Sequence, residues 1–293
     1  MSNPQQELID LKPNKEFFIG IDSDGCAFDS MEIKHKECFT PATIRNFKLQ
    51  GVSKYAREVA EFVNLYSRER GLNRFPALIS VLDILRNRKE VKQRNYPVPE
   101  LNKIRKWMKE ETKLGNPALK KIVDETGDAE FRNVLEWSEE VNRRVEEMVS
   151  NVPPFPFVNE SLTKASAKAD IVVVSQTPLE ALAREWAEHG IDKYVRMIAG
   201  QEHGTKTEHL KFAAVGKYPA DKILMLGDAM GDMKAANDAG TLFYPIVPGK
   251  EEMSWKRLND EALDKFFNGT FKGSYAEGLK KELESALPEK PNF

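Results

Sequence analysis

The chain has 293 residues, 41% of them hydrophobic and 31% charged, which is enough apolar material for a large core or two modest ones. Its formal net charge of −2 gives no bulk electrostatic reason to expect nucleic acid or a membrane surface as partner. No apolar run approaches the roughly 18 residues of a membrane span, and the polar opening segment MSNPQQELIDLKPNKE lacks the apolar stretch of a signal peptide. Two cysteines, Cys26 and Cys38, without metal-type spacing fit a reducing compartment, so the expected location is the cytoplasm.

In chain order, the first element is the apolar run FFIGI, residues 17–21, read as a strand. It ends abruptly in two carboxylates, Asp22 and Asp24, followed by Gly25. Residues 30–155 are then nearly free of strand signals. KYAREVAEFVNLYSRER, FPALISVLDILRNRKEV, PELNKIRKWMKEETK and AEFRNVLEWSEEVNRRVEEMV each carry apolar residues at helical spacing, so this insert is expected to be an all-helical domain. It holds about five more Lys and Arg than Asp and Glu, which suits an anionic ligand. Trp107 and Trp137, like Trp186 further on, lie on helix-period faces and are expected to pack in a core or against another domain.

The proline-rich NVPPFPF, residues 151–157, reads as a return hinge. Beyond it come DIVVVS (170–175), a weaker run VRMIAG (195–200), KILMLG (222–227) and LFYPIV (242–247). The 17–21, 170–175 and 222–227 runs are continuous rather than alternating, as in strands buried on both faces of a parallel sheet. Helical segments lie between them. PLEALAREWAEHG has Pro178 near its start and Gly190 just past its end, and TEHLKFAAVGK and GDMKAANDAG follow. The fold class expected is α/β, a doubly wound parallel sheet formed by residues 1–29 and 156–293, with the helical insert at 30–155. The last 40 residues are expected as polar helices on the flank of the sheet domain.

The strands end in polar residues: Asp22 and Asp24, then Ser175, then Asp228 and Asp232 of GDAMGD. Sites in open α/β sheets lie at the carboxyl ends of the strands, so these groups are expected to converge. Four carboxylates that close repel one another unless a cation sits among them. All-oxygen ligands of this charge suit Mg²⁺. Lys206, in GTKTEH, would balance an anionic substrate.

In this arrangement the chain resembles the haloacid dehalogenase superfamily. DSDGCAFDS resembles that family's D-x-D-G motif. IVVVSQTP supplies the Ser or Thr after a strand, IAGQEHGTK leads to the lysine, and GDAMGDMKAANDAG matches G-D-x-x-x-D and its small-residue helix. The four motifs stand in order over residues 17–247, the insert aside. The helical insert soon after the first motif resembles the cap of the phosphoglycolate phosphatase and β-phosphoglucomutase branch. It is longer than the usual four-helix cap, and no proline follows Lys206.

The resemblance implies a Mg²⁺-dependent phosphatase of a small phosphorylated metabolite. Asp22 would be the nucleophile forming an aspartyl-phosphate. Asp24 would be general acid and then base. Ser175 and Lys206 would hold the phosphoryl oxygens. Asp22, the backbone carbonyl of Asp24 and Asp228 would bind the metal, with Asp232 supporting it directly or through water. A phosphomutase needs the same core residues. A catalytically silent binding protein on the same fold is expected to have lost a motif acid, and none is missing. In the insert, Arg68, Arg70 and Arg74 surround a glycine break in LYSRERGLNRF. A solvated helix end accounts for them, and so does a loop that grips an anionic part of the substrate.

Overall fold

The computed structural model describes residues 3–293. Backbone contacts divide the chain into two compact units. One takes the residues up to Ser30 together with Asn151–Leu287, and the other Met31–Ser150 together with Pro288–Phe293.

The first unit is built on a parallel five-stranded sheet. Its strands are β1 (Phe17–Ile21), β2 (Ala169–Val174), β3 (Met197–Ala199), β4 (Ile223–Gly227) and β5 (Leu242–Pro245). They run in the order β3-β2-β1-β4-β5, all parallel. The weak run around 195–200 is therefore the edge strand β3. Every residue of β1, β2 and β4 is buried, and successive residues feed two different cores. Phe17, Ile19, Ile21, Ile171, Val173, Leu224 and Leu226 join one apolar cluster. Phe18, Val172, Val174, Ile223, Met225 and Phe243 join the other. The strand period of two thus operates inside runs that are apolar throughout, because helices cover both faces.

One face is covered by Val158, Leu162 and Ala165 of helix Val158–Ser166, by Trp186 of helix Leu179–Glu188, and by the helical turns between Glu251 and Phe267. The other receives Leu210 and Ala213 of helix Lys206–Ala213 and Met233 and Ala236 of helix Met230–Ala239. It also receives Leu8, the one buried residue of helix Pro4–Asp10 in the opening segment. Burying one leucine contributes about 2 kcal/mol, and Lys217 adds to it by donating to the carbonyls of Leu8, Ile9 and Leu11 at 2.8, 2.8 and 2.9 Å, closing the helix C-terminus.

The second unit is helical, as the periodicity predicted, and richer in helices than the four segments singled out. Ser53–Leu65, Arg74–Asn87, Asn102–Glu110 and Ala129–Met148 correspond to them. Thr40–Asn46 and Asn116–Thr126 are additional. Trp137 and Trp107 are buried around Phe75, and the Trp137 indole donates to Thr43 Oγ1 at 3.0 Å. Glu140 is buried with three partners: Arg45 at 2.6 Å, Asn46 at 2.7 Å and Arg144 at 2.8 Å. The last six residues, expected with the sheet, cluster instead with the helical unit. Arg68 pairs with Glu289 at 2.8 Å, and Phe293 lies edge-on to Phe62 and under the Arg88 guanidinium. Their polar sequence carried no periodicity from which this docking could be read.

Asp170 marks the amino-terminal end of the sheet. It is buried and accepts from the backbone N–H groups of Asn14 and Lys15, from the Tyr218 hydroxyl at 2.7 Å and from Arg196 at 2.8 Å. Burial alone would raise its pKa, but these donors outweigh it and hold the carboxyl below its usual 3.8. A carboxylate depressed in the fold contributes stability that is present above its unfolded pKa and lost as pH falls through the folded one. Asp170→Asn is therefore expected to cost about 3 kcal/mol near neutral pH, and the difference from wild type should shrink towards about pH 3. Urea unfolding at the two pH values checks this, and a difference that stays constant would show that ionisation of Asp170 is not the source.

Candidate active site

β1 lies between β2 and β4, the point where the strand order reverses, and ligand crevices in open sheets form there. Pairing of Ile21 with Val173 and with Leu226 brings Asp22, Ser175 and Asp228 to the carboxyl ends of three adjacent strands. All three are buried, as is Asp232.

The turn after β1 is closed by its own backbone. The Ser23 carbonyl accepts from the N–H groups of Cys26, Ala27 and Phe28, and Gly25 N donates to the Phe28 carbonyl. Gly25 has φ 74°, a left-handed conformation that side chains disfavour and that this reversal requires. Two indoles pin the turn from outside it. Trp186 Nε1 donates to Ser23 Oγ at 2.9 Å, which itself donates to Glu185 at 3.0 Å, while Trp255 Nε1 donates to the Cys26 carbonyl at 2.8 Å. The returning hinge pairs with the same turn, Phe155 N to the Ala27 carbonyl at 2.9 Å. Asp22 is fixed by its backbone N–H to the Leu226 carbonyl at 3.0 Å and by Ser23 N–H donating to its Oδ1 at 2.8 Å.

Carboxylate oxygens of Asp22, Asp228 and Asp232 lie within 4.8 Å of one another. Lys206, in the first turn of helix Lys206–Ala213, donates to Asp22 Oδ2 at 2.7 Å and to Asp232 Oδ1 at 2.6 Å. The sequence reading assigned this ammonium to an anionic substrate, and in the structure it bridges two of the acids. Thr205 sets its place by capping the helix, with Glu208 bonding back, a T-x-x-E pattern legible in TKTE. Asp232 is also a cap: its Oδ2 accepts from the N–H groups of Asp228 at 3.2 Å and Ala229 at 3.1 Å. That approach needs Gly227, because a Cβ there would lie 2.3 Å from Asp232 Cβ.

Burial drives the Asp22 carboxyl well above the usual carboxylate range. Lys206 pulls against the rise, and the charges of Asp232 and Asp228 add to it. Burial also disfavours the Lys206 ammonium, but Asp22 and Asp232 more than compensate and raise its pKa. Three carboxylates around one ammonium leave a deficit of positive charge in a buried place. An all-oxygen, acid-rich donor set of this kind fits a hard cation.

Asp24, half-buried, points its carboxylate to two hydroxyls: Ser30 Oγ donates to Oδ1 and Thr177 Oγ1 to Oδ2, the latter at 2.7 Å. Neither hydroxyl was singled out from sequence. Thr177 sits in T-P-L-E, a pattern that reads as a helix cap, yet helix Leu179–Glu188 has no side-chain cap bond at its start. Ser175 Oγ accepts from Thr177 N at 3.2 Å. Ser23 was equally silent in the sequence, since nothing local shows that a tryptophan 163 positions away will bond to it.

The three arginines of the helical unit differ in their surroundings. Arg74 donates to the Ser138 carbonyl and hydroxyl and to Asn142 at 3.1, 2.9 and 2.7 Å and stacks on Phe39, and burial lowers its pKa to about 10. Arg70 is buried and donates to the Leu65 carbonyl at 2.9 Å. Arg68 is exposed in its pair with Glu289.

A family model described as haloacid dehalogenase-like hydrolase matches residues 91–245, more than half of the chain and including Ser175, Lys206, Asp228 and Asp232. Comparison with curated protein sequences found no match. Among solved structures, similar ones include a protein described as a predicted phosphoglycolate phosphatase from Haemophilus somnus. It has 17% identity and a TM-score of 0.49, over 80% of this chain and 86% of that one. Another is provisionally named a beta-phosphoglucomutase, from Bacteroides vulgatus, at 16% identity and a TM-score of 0.44, over 92% of this chain and all of that one. A haloacid dehalogenase-like family hydrolase from Streptococcus pneumoniae matches at 13% identity and a TM-score of 0.42, over 82% and 90%. By the family match, over a sheet with the strand order described above, the chain belongs to the haloacid dehalogenase-like hydrolase family.

Proposed function

We propose that this hydrolase is a Mg²⁺-dependent phosphomonoesterase that cleaves a small phosphorylated metabolite through an aspartyl-phosphate on Asp22. The observation that carries the proposal is the buried group of Asp22, Asp228 and Asp232 around Lys206 at the switch point of the sheet. Asp22, Asp228 and the backbone carbonyl of Asp24 would hold the cation, with Asp232 in support. When bound, it would let the carboxylates ionise together and draw charge from the phosphoryl oxygens.

Asp22 attacks phosphorus, forming an acyl–phosphate bond as the bond to the alkoxide breaks. Asp24 gives that alkoxide its proton. In the second step Asp24 takes a proton from water, and the hydroxide releases phosphate from Asp22 and restores its carboxylate. Ser175 and Lys206 hold the phosphoryl oxygens while charge redistributes. The ion pairs of Lys206 keep the ammonium beside the nucleophile from the start. We place the enzyme in the cytoplasm, where the buried thiols of Cys26 and Cys38 stay reduced.

The motif residues lie in the sheet unit and serve any phosphate ester, so discrimination between esters is assigned to the helical unit, acting as a mobile cap. Of its arginines, the exposed Arg68 is proposed to recognise an anionic group of the substrate, while Arg70, a candidate for the same role, is buried and bonded to the Leu65 carbonyl, which favours a structural one. Arg74 was a candidate for the same role, and its bonds to Ser138 and Asn142 favour a structural one.

Asp22→Asn should lower turnover of an aryl phosphate at least about a thousandfold with the fold intact. Substantial hydrolysis by the purified variant would exclude the covalent route. Asp228→Ala should shift the Mg²⁺ titration of activity to much higher concentration, because a charged ligand of the ion is lost, whereas titration curves that overlay would put the metal elsewhere. Replacing Arg68 by alanine should raise KM for the preferred ester about tenfold and spare an aryl phosphate. Arg74→Ala should instead lower the melting temperature, by an amount matching about 2 kcal/mol. Equal losses on both esters for Arg68→Ala would remove it from recognition.

A further inference from the structure

We infer that Thr177 is a positioning residue for the acid–base carboxylate: its hydroxyl holds Asp24 Oδ2 and so ties the turn after β1 to the turn after β2. The inference rests on the reading of Asp24 as general acid and base. The bond is 2.7 Å long and joins residues 153 apart in sequence. It is not a by-product of helix capping, since Pro178 starts the next helix and no side chain caps it.

Thr177 is itself held firmly. Its N–H donates to Ser175 Oγ at 3.2 Å, and its carbonyl accepts from Gln201 N at 3.1 Å. The same short turn therefore carries Ser175, proposed to hold the phosphoryl oxygens, and the hydroxyl that aims Asp24 at the leaving group. A general acid must stand within hydrogen-bond reach of the atom it protonates. Asp24 is half-buried, and with Ser30 on Oδ1 alone its carboxylate could still turn about its own torsions, so the bond to Oδ2 is what fixes its direction.

The test uses Thr177→Val, which keeps the side-chain shape and removes the hydroxyl, and Thr177→Ser, which restores it. The ratio kcat/KM reports the first transfer, in which Asp24 acts as acid. For an alkyl phosphate, whose leaving alkoxide needs that proton, Thr177→Val should lower kcat/KM about tenfold or more. For p-nitrophenyl phosphate, whose phenolate leaves with little help, the loss should stay within about twofold, and Thr177→Ser should recover most of the alkyl activity. A purely structural role would lower both esters alike. Equal losses, no loss on either, or failure of serine to rescue would overturn the inference. A crystal structure of Thr177→Val gives a readout independent of turnover: the Asp24 carboxylate should leave its wild-type position or lose order, and an unmoved carboxylate would overturn the inference. Wild-type protein inert on both esters would instead sink the phosphatase reading, and the position of Asp24 in the Thr177→Val crystal would still decide this one.

Discussion

The ion pairs of Lys206 with Asp22 and Asp232 are the interactions around which the sheet unit is arranged. Three acids with oxygens within 4.8 Å of one another are costly to bury, and one ammonium offsets only part of their charge. The rest of the neighbourhood works to keep them together. Asp232 is fastened by two backbone N–H groups that only a glycine at 227 lets it reach. Asp22 is fastened at the strand end by Leu226 and Ser23. A site built with such a deficit of positive charge is primed for a cation and for nothing apolar.

The opposite end of the sheet uses the same chemistry for a different purpose. Asp170 is as buried as the acids of the site, yet it is supplied with donors from Asn14, Lys15, Tyr218 and Arg196 and its pKa falls. Asp22 accepts from Ser23 N–H and from Lys206, but it shares the ammonium with Asp232, and burial together with the charges of Asp232 and Asp228 raises its pKa. Burial works against ionisation at both, and donors outweigh it at Asp170 while neighbouring carboxylates add to it at Asp22.

Precision in the turn after β1 comes from far away in sequence. Trp186, Trp255 and Thr177 reach the turn that D-S-D-G opens from three separate segments, each donating one hydrogen bond to it. Each indole N–H is buried and would lose its acceptor if the turn shifted, a loss of about 1–3 kcal/mol apiece. The turn is thereby fixed from outside at two of its side chains, Ser23 and Asp24, and at the Cys26 carbonyl.

The amino-acid sequence by itself determined the strands, the helical insert and the order of the motif acids. Each of these is written in local periodicity: apolar runs at 17–21, 170–175 and 222–227, helical spacing between them, and acids where the runs end. That is why the sheet, Asp22, Asp228 and Asp232 could be placed before any coordinates. Tertiary structure alone decided which partner each polar group takes. Lys206 bridges two acids, Thr177 turns from a helix cap to Asp24, Arg74 bonds within its own unit, and the last six residues leave the sheet unit for the helical one. These choices depend on strand register and helix packing between residues far apart in sequence, 184 positions for Asp22 and Lys206 and 221 for Arg68 and Glu289. A hydroxyl or ammonium carries no local mark of the partner that such packing will bring to it.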